Sequence, residues 1–138
     1  NRGKYLFSVE GTYKKALQEG YIVIVDGIFD QLSLHGQGIL AASALGSTIT
    51  QEILFQLRFI DTVFVASDND DAGTRLFEDI KKGHPKVRRV RQNKTKDADD
   101  IIKSSFGAEY ISLLKEAIAK KDHLLIRLNP LEQMKDFI

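Results

Sequence analysis

Two short runs in this chain carry no charge and show no alternation: Tyr21–Val25 (YIVIV) and Thr62–Ala66 (TVFVA). A strand that is apolar at every position has no face to offer water. Both its faces must be covered, and that requirement selects a parallel sheet held between layers of helices. A weaker run, Gly38–Ala42, and a heavily basic one, Lys86–Arg91, bring the expectation to about four strands.

Helical patterns alternate with these runs. Thr12 to Glu19 reads as a short helix ended by Gly20, and Ile28, Phe29 and Leu32 mark another, stopped by Gly36. Thr50 is placed to N-cap a helix carrying Ile53, Leu54 and Leu57 on one face. Ala72, Leu76 and Ile80 recur at helical spacing before Gly83 and Pro85, and Tyr110, Leu113, Leu114, Ala117 and Ile118 form the clearest amphipathic stripe. Strand and helix in alternation with short links predict an α/β fold, mostly parallel, with helices on both faces of the sheet. The tail is ambiguous: Leu124–Leu128 fits a strand, and Pro130 interrupts the pattern before a last helical turn.

With 138 residues there is room for one domain. Its expected core runs from about 19 to 104, with a lead-in at 1–18 and a helical or extended tail at 105–138. The net charge of +1 gives no bulk argument for a nucleic-acid partner, which must come from local clusters or bound metal. There are no cysteines, so disulfides and cysteine-based zinc sites are excluded, and a reducing compartment fits. No apolar stretch is long enough to span a bilayer, so no membrane role is expected. The chain opens on Asn1, which fits a piece processed or excised from something larger.

In open α/β sheets, ligands bind beyond the carboxyl ends of the strands. The acids gather at those places. Asp26-Gly27-Ile28-Phe29-Asp30 follows the first strong strand, Asp68-Asn69-Asp70-Asp71-Ala72-Gly73 the second, and Lys96-Asp97-Ala98-Asp99-Asp100 the basic one. Any one cluster is explained equally well by acids capping a helix and complementing its dipole. Three at one rim repel one another unless a cation compensates, and hard divalent ions with oxygen ligands do so. A pair of such ions about 3.5–4 Å apart stabilises the attacking and leaving oxygens of phosphoryl transfer.

These residues, in this order, resemble the TOPRIM module of primases, topoisomerases, some nucleases and recombination mediators, and most closely the DnaG-type primases. Asp26, Gly27 and Asp30 match a Glu-Gly-x-x-Asp signature, and Leu45-Gly46-Ser47-Thr48-Ile49-Thr50 a Leu-Gly-Thr-Ala-Leu-Thr segment. Asp68, Asp70, Ala72 and Gly73 match Asp-x-Asp-x-Ala-Gly, and Lys96-Asp97-Ala98-Asp99 resembles Lys-Asp-Pro-Asp. The resemblance implies the Rossmann-like TOPRIM fold and a nucleotidyltransferase that makes RNA primers. It implies Mg²⁺ or Mn²⁺ as cofactor, with Asp26, Asp30, Asp68, Asp70, Asp97 and Asp99 at the metals and Asp26 also as acid–base. DNA template and nucleoside triphosphates are the implied partners, with a helicase or other replication modules beside them, in a bacterial or phage-infected cytoplasm. Two other readings stay open: a TOPRIM nuclease, and a non-catalytic DNA-binding recombination or accessory module. The first acid departs from the family pattern, Asp26 standing where Glu is usual, one methylene shorter. A zinc-binding module accompanies such primase cores, and this cysteine-free chain does not supply one.

Arg88, Arg89, Arg91, Lys94 and Lys96, with Lys86, are candidates to hold template or triphosphate phosphates. An exposed edge strand carrying protective charge explains the same run. The Gly46 backbone, ahead of the Thr50 helix, is a candidate phosphate contact or a plain turn. His35, His84 and His123 are scattered without ligand spacing, and neither a Ser-His-Asp arrangement nor a Walker-type loop is present.

Overall fold

A computed structural model describes residues 11–44, 49–66, 71–91 and 98–125, excluding the side chains of Asp71, Ala72, Arg91 and Leu125. The elements run α1 (Thr12–Glu19), β1 (Tyr21–Val25), α2 (Ile28–Gly36), β2 (Ala41–Ser43), α3 (Gln51–Leu57), β3 (Thr62–Ala66), α4 (Asp71–Lys81), β4 (Val87–Arg91), α5 (Ala98–Lys103), α6 (Gly107–Lys120) and β5 (Leu124–Leu125).

The strands form one sheet in the order β2-β1-β3-β4-β5, with every neighbouring pair parallel. This is the α/β class expected. Alternating side chains of each strand feed two apolar layers. Ile22, Ile24, Val63, Val65 and Val87 pack under α1, α3 and α4 through Ala16, Ile53, Leu57, Leu76, Phe77 and Ile80. Val23, Val25, Phe64, Ala66 and Val90 pack under α2, α5 and α6 through Leu34, Ala98, Ile101, Tyr110, Ile111 and Leu114. Each such large side chain, when fully buried, contributes roughly 1.5–3 kcal/mol.

Local signals fix several boundaries. Gly20 ends α1 in the left-handed region at φ 83°, its N–H reaching Ala16 O, a conformation costly for any residue with a Cβ. Thr50 caps α3 as expected, its Oγ1 accepting from Ile53 N at 3.2 Å. At Gly107 a Cβ would stand 2.2 Å from the Ile102 carbonyl oxygen, so glycine lets α5 hand over to α6.

Two expectations need correction, and one helix shows a face its sequence did not announce. The second strand begins later than Gly38–Ala42, because Gly38 (φ 78°) and Ile39 are spent on closing α2, donating to His35 O and Leu34 O. The basic strand is not an edge: β4 lies between β3 and β5. On α2, the residues that marked the helix face outward. Phe29 is 71% exposed and Ile28 and Leu32 are exposed too, while Asp30, Gln31 and Leu34 are buried. Of the tail strand, only Leu124 and Leu125 fall among the described residues.

Candidate metal centre

From β1 the chain turns one way to β2 and later the other way to β3, so the direction of winding reverses between β1 and β3. The carboxyl ends at such a reversal form the usual crevice of an open parallel sheet. Val25 and Ala66, the last residues of those strands, are register partners there. Asp26 follows Val25 directly and is partly exposed. Its backbone carbonyl accepts from Ser43 Oγ on β2 at 3.4 Å, which ties the two strand ends together.

Gly27, extended at φ −129° and ψ 162°, N-caps α2 without a side-chain bond. Asp30 then falls in the first turn of α2 and is only 6% exposed. A carboxylate buried that deeply needs donors. One comes from a distant element: the Asp99 N–H, in the first turn of α5, donates to Asp30 Oδ1 at 2.9 Å. Asp30 therefore lies beside the positive ends of two helices, α2 and α5, and each end favours its charge. Asp30 Oδ2 is turned towards Gly27, where a Cβ would stand 3.8 Å away.

Asp99 is held as closely. Ser33 Oγ, one turn after Asp30 on α2, donates to Asp99 Oδ1, and Lys103 Nζ donates to Oδ2 at 2.9 Å. The Ser33 hydroxyl, and after it the Lys103 ammonium, holds the Asp99 carboxyl below the usual aspartate range. So Asp30 of the first acidic cluster and Asp99 of the third meet. Ser33 was missed. Its only sequence signal is its position three residues after Asp30, on the same helical face.

Asp68 and Asp70 lie outside the described residues, in the sequence that joins β3 to α4, and Asp97 in the sequence that joins β4 to α5. Lys94, Lys96, Gly46 and the Arg91 side chain lie outside them as well. Among the described residues, no three acids or histidines come close enough to hold an ion by themselves.

The two described arginines of the basic run are engaged within the fold. Arg89 is buried, its guanidinium 5.6 Å from the centre of the Phe77 ring on α4. Arg88 Nε donates to the Lys121 carbonyl at 2.7 Å. The histidines are structural. His84 is buried, accepts from Lys86 N at Nδ1 and donates from Nε2 to Ile60 O. His35 Nε2 donates to Ala41 O, and His123 Nδ1 accepts from Arg89 N at 2.7 Å.

Comparison with known proteins places this geometry in context. The family described as Toprim-like matches residues 23–102. The DNA primase of Thermotoga maritima is 28% identical over 123 residues, covering 85% of this chain and 22% of that protein. The DNA primase of Aquifex aeolicus is 29% identical over 132 residues, covering 91% of this chain and 26% of that one. The chain thus spans about a quarter of the length of these relatives. The crystal structure of the zinc-binding and RNA polymerase domains of the Aquifex aeolicus primase superposes with a TM-score of 0.67 at 28% identity, covering 87% of this chain and 30% of that one.

Proposed function

Given that this chain belongs to the Toprim-like family, we propose that it is the metal-dependent nucleotidyltransferase core of a DNA primase. The observation that carries the reading is the joining of Asp30, at the exit of β1, to Asp99, at the start of the helix after β4. That bond joins one acid of the first cluster to one of the third, 69 residues apart, in the first turn of the helix that follows β1.

The residues suit a hard divalent ion. The candidate donors are all carboxylate oxygens, the ligand type such ions take, and Asp30 Oδ2 lies on the side of Gly27, the residue next to Asp26. Asp26, Asp30, Asp68, Asp70 and Asp97 would hold Mg²⁺ or Mn²⁺ directly or through water. When bound, such ions neutralise triphosphate charge and activate a 3′ hydroxyl. Asp26, at the tip of β1, is the candidate to move a proton at that hydroxyl. Asp99, whose two oxygens already accept hydrogen bonds, positions the others. Phosphate contact falls to Lys94, Lys96 and Arg91 and to the Gly46 backbone, since Arg89 is buried against Phe77 and Arg88 is held by the Lys121 carbonyl. DNA template and nucleoside triphosphates are the proposed substrates, with further replication modules as partners. Among the described residues no helix is long and apolar enough to cross a membrane.

Calorimetric titration of Mn²⁺ tests the site. Wild type is expected to bind, and Asp68→Asn with Asp70→Asn to lose that binding. Equal binding in both removes the assignment. Incubation with labelled single-stranded DNA, nucleoside triphosphates and Mn²⁺ tests the reaction. New oligoribonucleotide supports the primase reading, shortening of the DNA makes the chain a nuclease, and binding without turnover makes it an accessory module. Asp26→Glu, which restores the usual acid, is expected to keep or raise synthesis. Its collapse would show that the shorter carboxylate does another job.

A further inference from the structure

We infer that Ser33 is a positioning residue for the candidate metal centre, holding Asp99 so that Asp99 acts as a latch between α2 and α5 rather than as a metal ligand. The inference rests on the metal-dependent reading above. Asp30 and Ser33 stand three residues apart on α2 and engage Asp99 at two points. The Asp30 carboxylate takes the Asp99 N–H at 2.9 Å, and the Ser33 hydroxyl donates to Asp99 Oδ1. Lys103, one turn further along α5, covers Oδ2 at 2.9 Å from the solvent side, with its side chain 70% exposed against 16% for Asp99.

Both Asp99 oxygens thus have a donor, and the nearby positive charge is an ammonium of the same helix. With a donor on each oxygen and an ammonium beside it, Asp99 already has a counter-charge and a fixed orientation. What the arrangement fixes is the first turn of α5 against the turn of α2 that carries Asp30. Holding Asp99 from two sides sets where Asp30 Oδ1 is spent, and therefore which way Oδ2 is turned. This is the relation of an outer partner to an ion-binding carboxylate. Removing such partners typically weakens metal affinity by roughly ten- to a hundredfold without removing the site.

The test is titration of Mn²⁺ alone into wild type, Ser33→Ala, Ser33→Thr, Asp99→Asn and the Asp68→Asn/Asp70→Asn pair, with thermal melts alongside. Ser33→Ala is expected to keep the number of ions bound and to weaken affinity by roughly tenfold or more. Ser33→Thr, which returns the hydroxyl, should recover most of that loss. Asp99→Asn retains an oxygen for Ser33 and should lose no more affinity than Ser33→Ala, at unchanged stoichiometry. Wild-type affinity in Ser33→Ala, with the double variant silent, overturns the inference alone. Loss of a bound ion in Asp99→Asn does the same, by making Asp99 a ligand. No Mn²⁺ uptake by wild type, or wild-type uptake by the double variant, overturns the metal reading and the latch with it. If Ser33→Ala does not fold, Lys103→Met replaces it, removing only the exposed donor. A measurable loss of affinity there supports the latch, and wild-type affinity overturns it.

Discussion

Single atoms decide two positions in this molecule. At Gly107 the obstacle to a Cβ is the Ile102 carbonyl oxygen, which is backbone and cannot swing aside as a side chain would. Gly107→Ala should therefore push α6 away from α5 and cost about 1–3 kcal/mol. A urea midpoint within error of wild type would show that the handover moves freely. At His123 the deciding atom is Nδ1, which accepts the Arg89 N–H and must be unprotonated to do so. Partial burial, and after it the Arg88 cation, holds this imidazole below the ordinary histidine value. The unfolded chain then takes up its proton first. The contribution is complete above the unfolded pKa of about 6.5 and is lost as pH falls through the lower folded value. His123→Asn keeps an acceptor that does not titrate, so its urea midpoint should change less than wild type between pH 7.5 and 5.5. Parallel curves would remove His123 as the cause. Neither role was legible in the sequence. The close approach at Gly107 belongs to two helices meeting, and the His123 bond spans residues 34 apart.

At the level of elements, composition located what packing later oriented. Thr12–Glu19, Tyr21–Val25 and Thr62–Ala66 stand where the sequence put them, because a capping glycine or an unbroken apolar run leaves few alternatives. The six-residue α5 went unrecognised, being too short for periodicity to show, and its N-terminus is held by a carboxylate from another element. α2 taught a different lesson. Its apolar residues announced a helix but not its inward face, which is set by Asp30 and Gln31 as well as Leu34. Two leucines on this one helix check that orientation. Leu34→Ala should cost about 2–5 kcal/mol, as a fully buried side chain does, whereas Leu32→Ala should stay within about 0.5 kcal/mol. Equal losses in chemical denaturation would mean the helix is rotated.

For the whole molecule, the parallel sheet turns the carboxyl ends of β1, β3 and β4 to one side. The three strand exits were legible because carboxyl ends of parallel strands share a side, a rule that needs no side-chain detail, while Asp68, Asp70 and Asp97 lie outside the described residues. The bond between Asp30 and Asp99 that makes the rim a candidate site was not legible, since nothing in either motif announces the other. If ions bind the folded rim and not the unfolded chain, Mn²⁺ at a hundred times its dissociation constant should add about 2.7 kcal/mol of stability. That is worth several degrees of melting temperature for a chain of this size. The Asp68→Asn/Asp70→Asn pair should show no such rise, and a rise equal to wild type would place the ions elsewhere.

The hydrogen bond from Asp99 to Asp30 also has a consequence in time. The acceptor leaves the ribosome 69 residues ahead of its donor, so a nascent chain that has already delivered β1, β2 and β3 still lacks that partner for its buried carboxylate. A premature stop just upstream of position 98 would yield a polypeptide with most of the sheet-forming sequence and Asp30 still waiting for that amide.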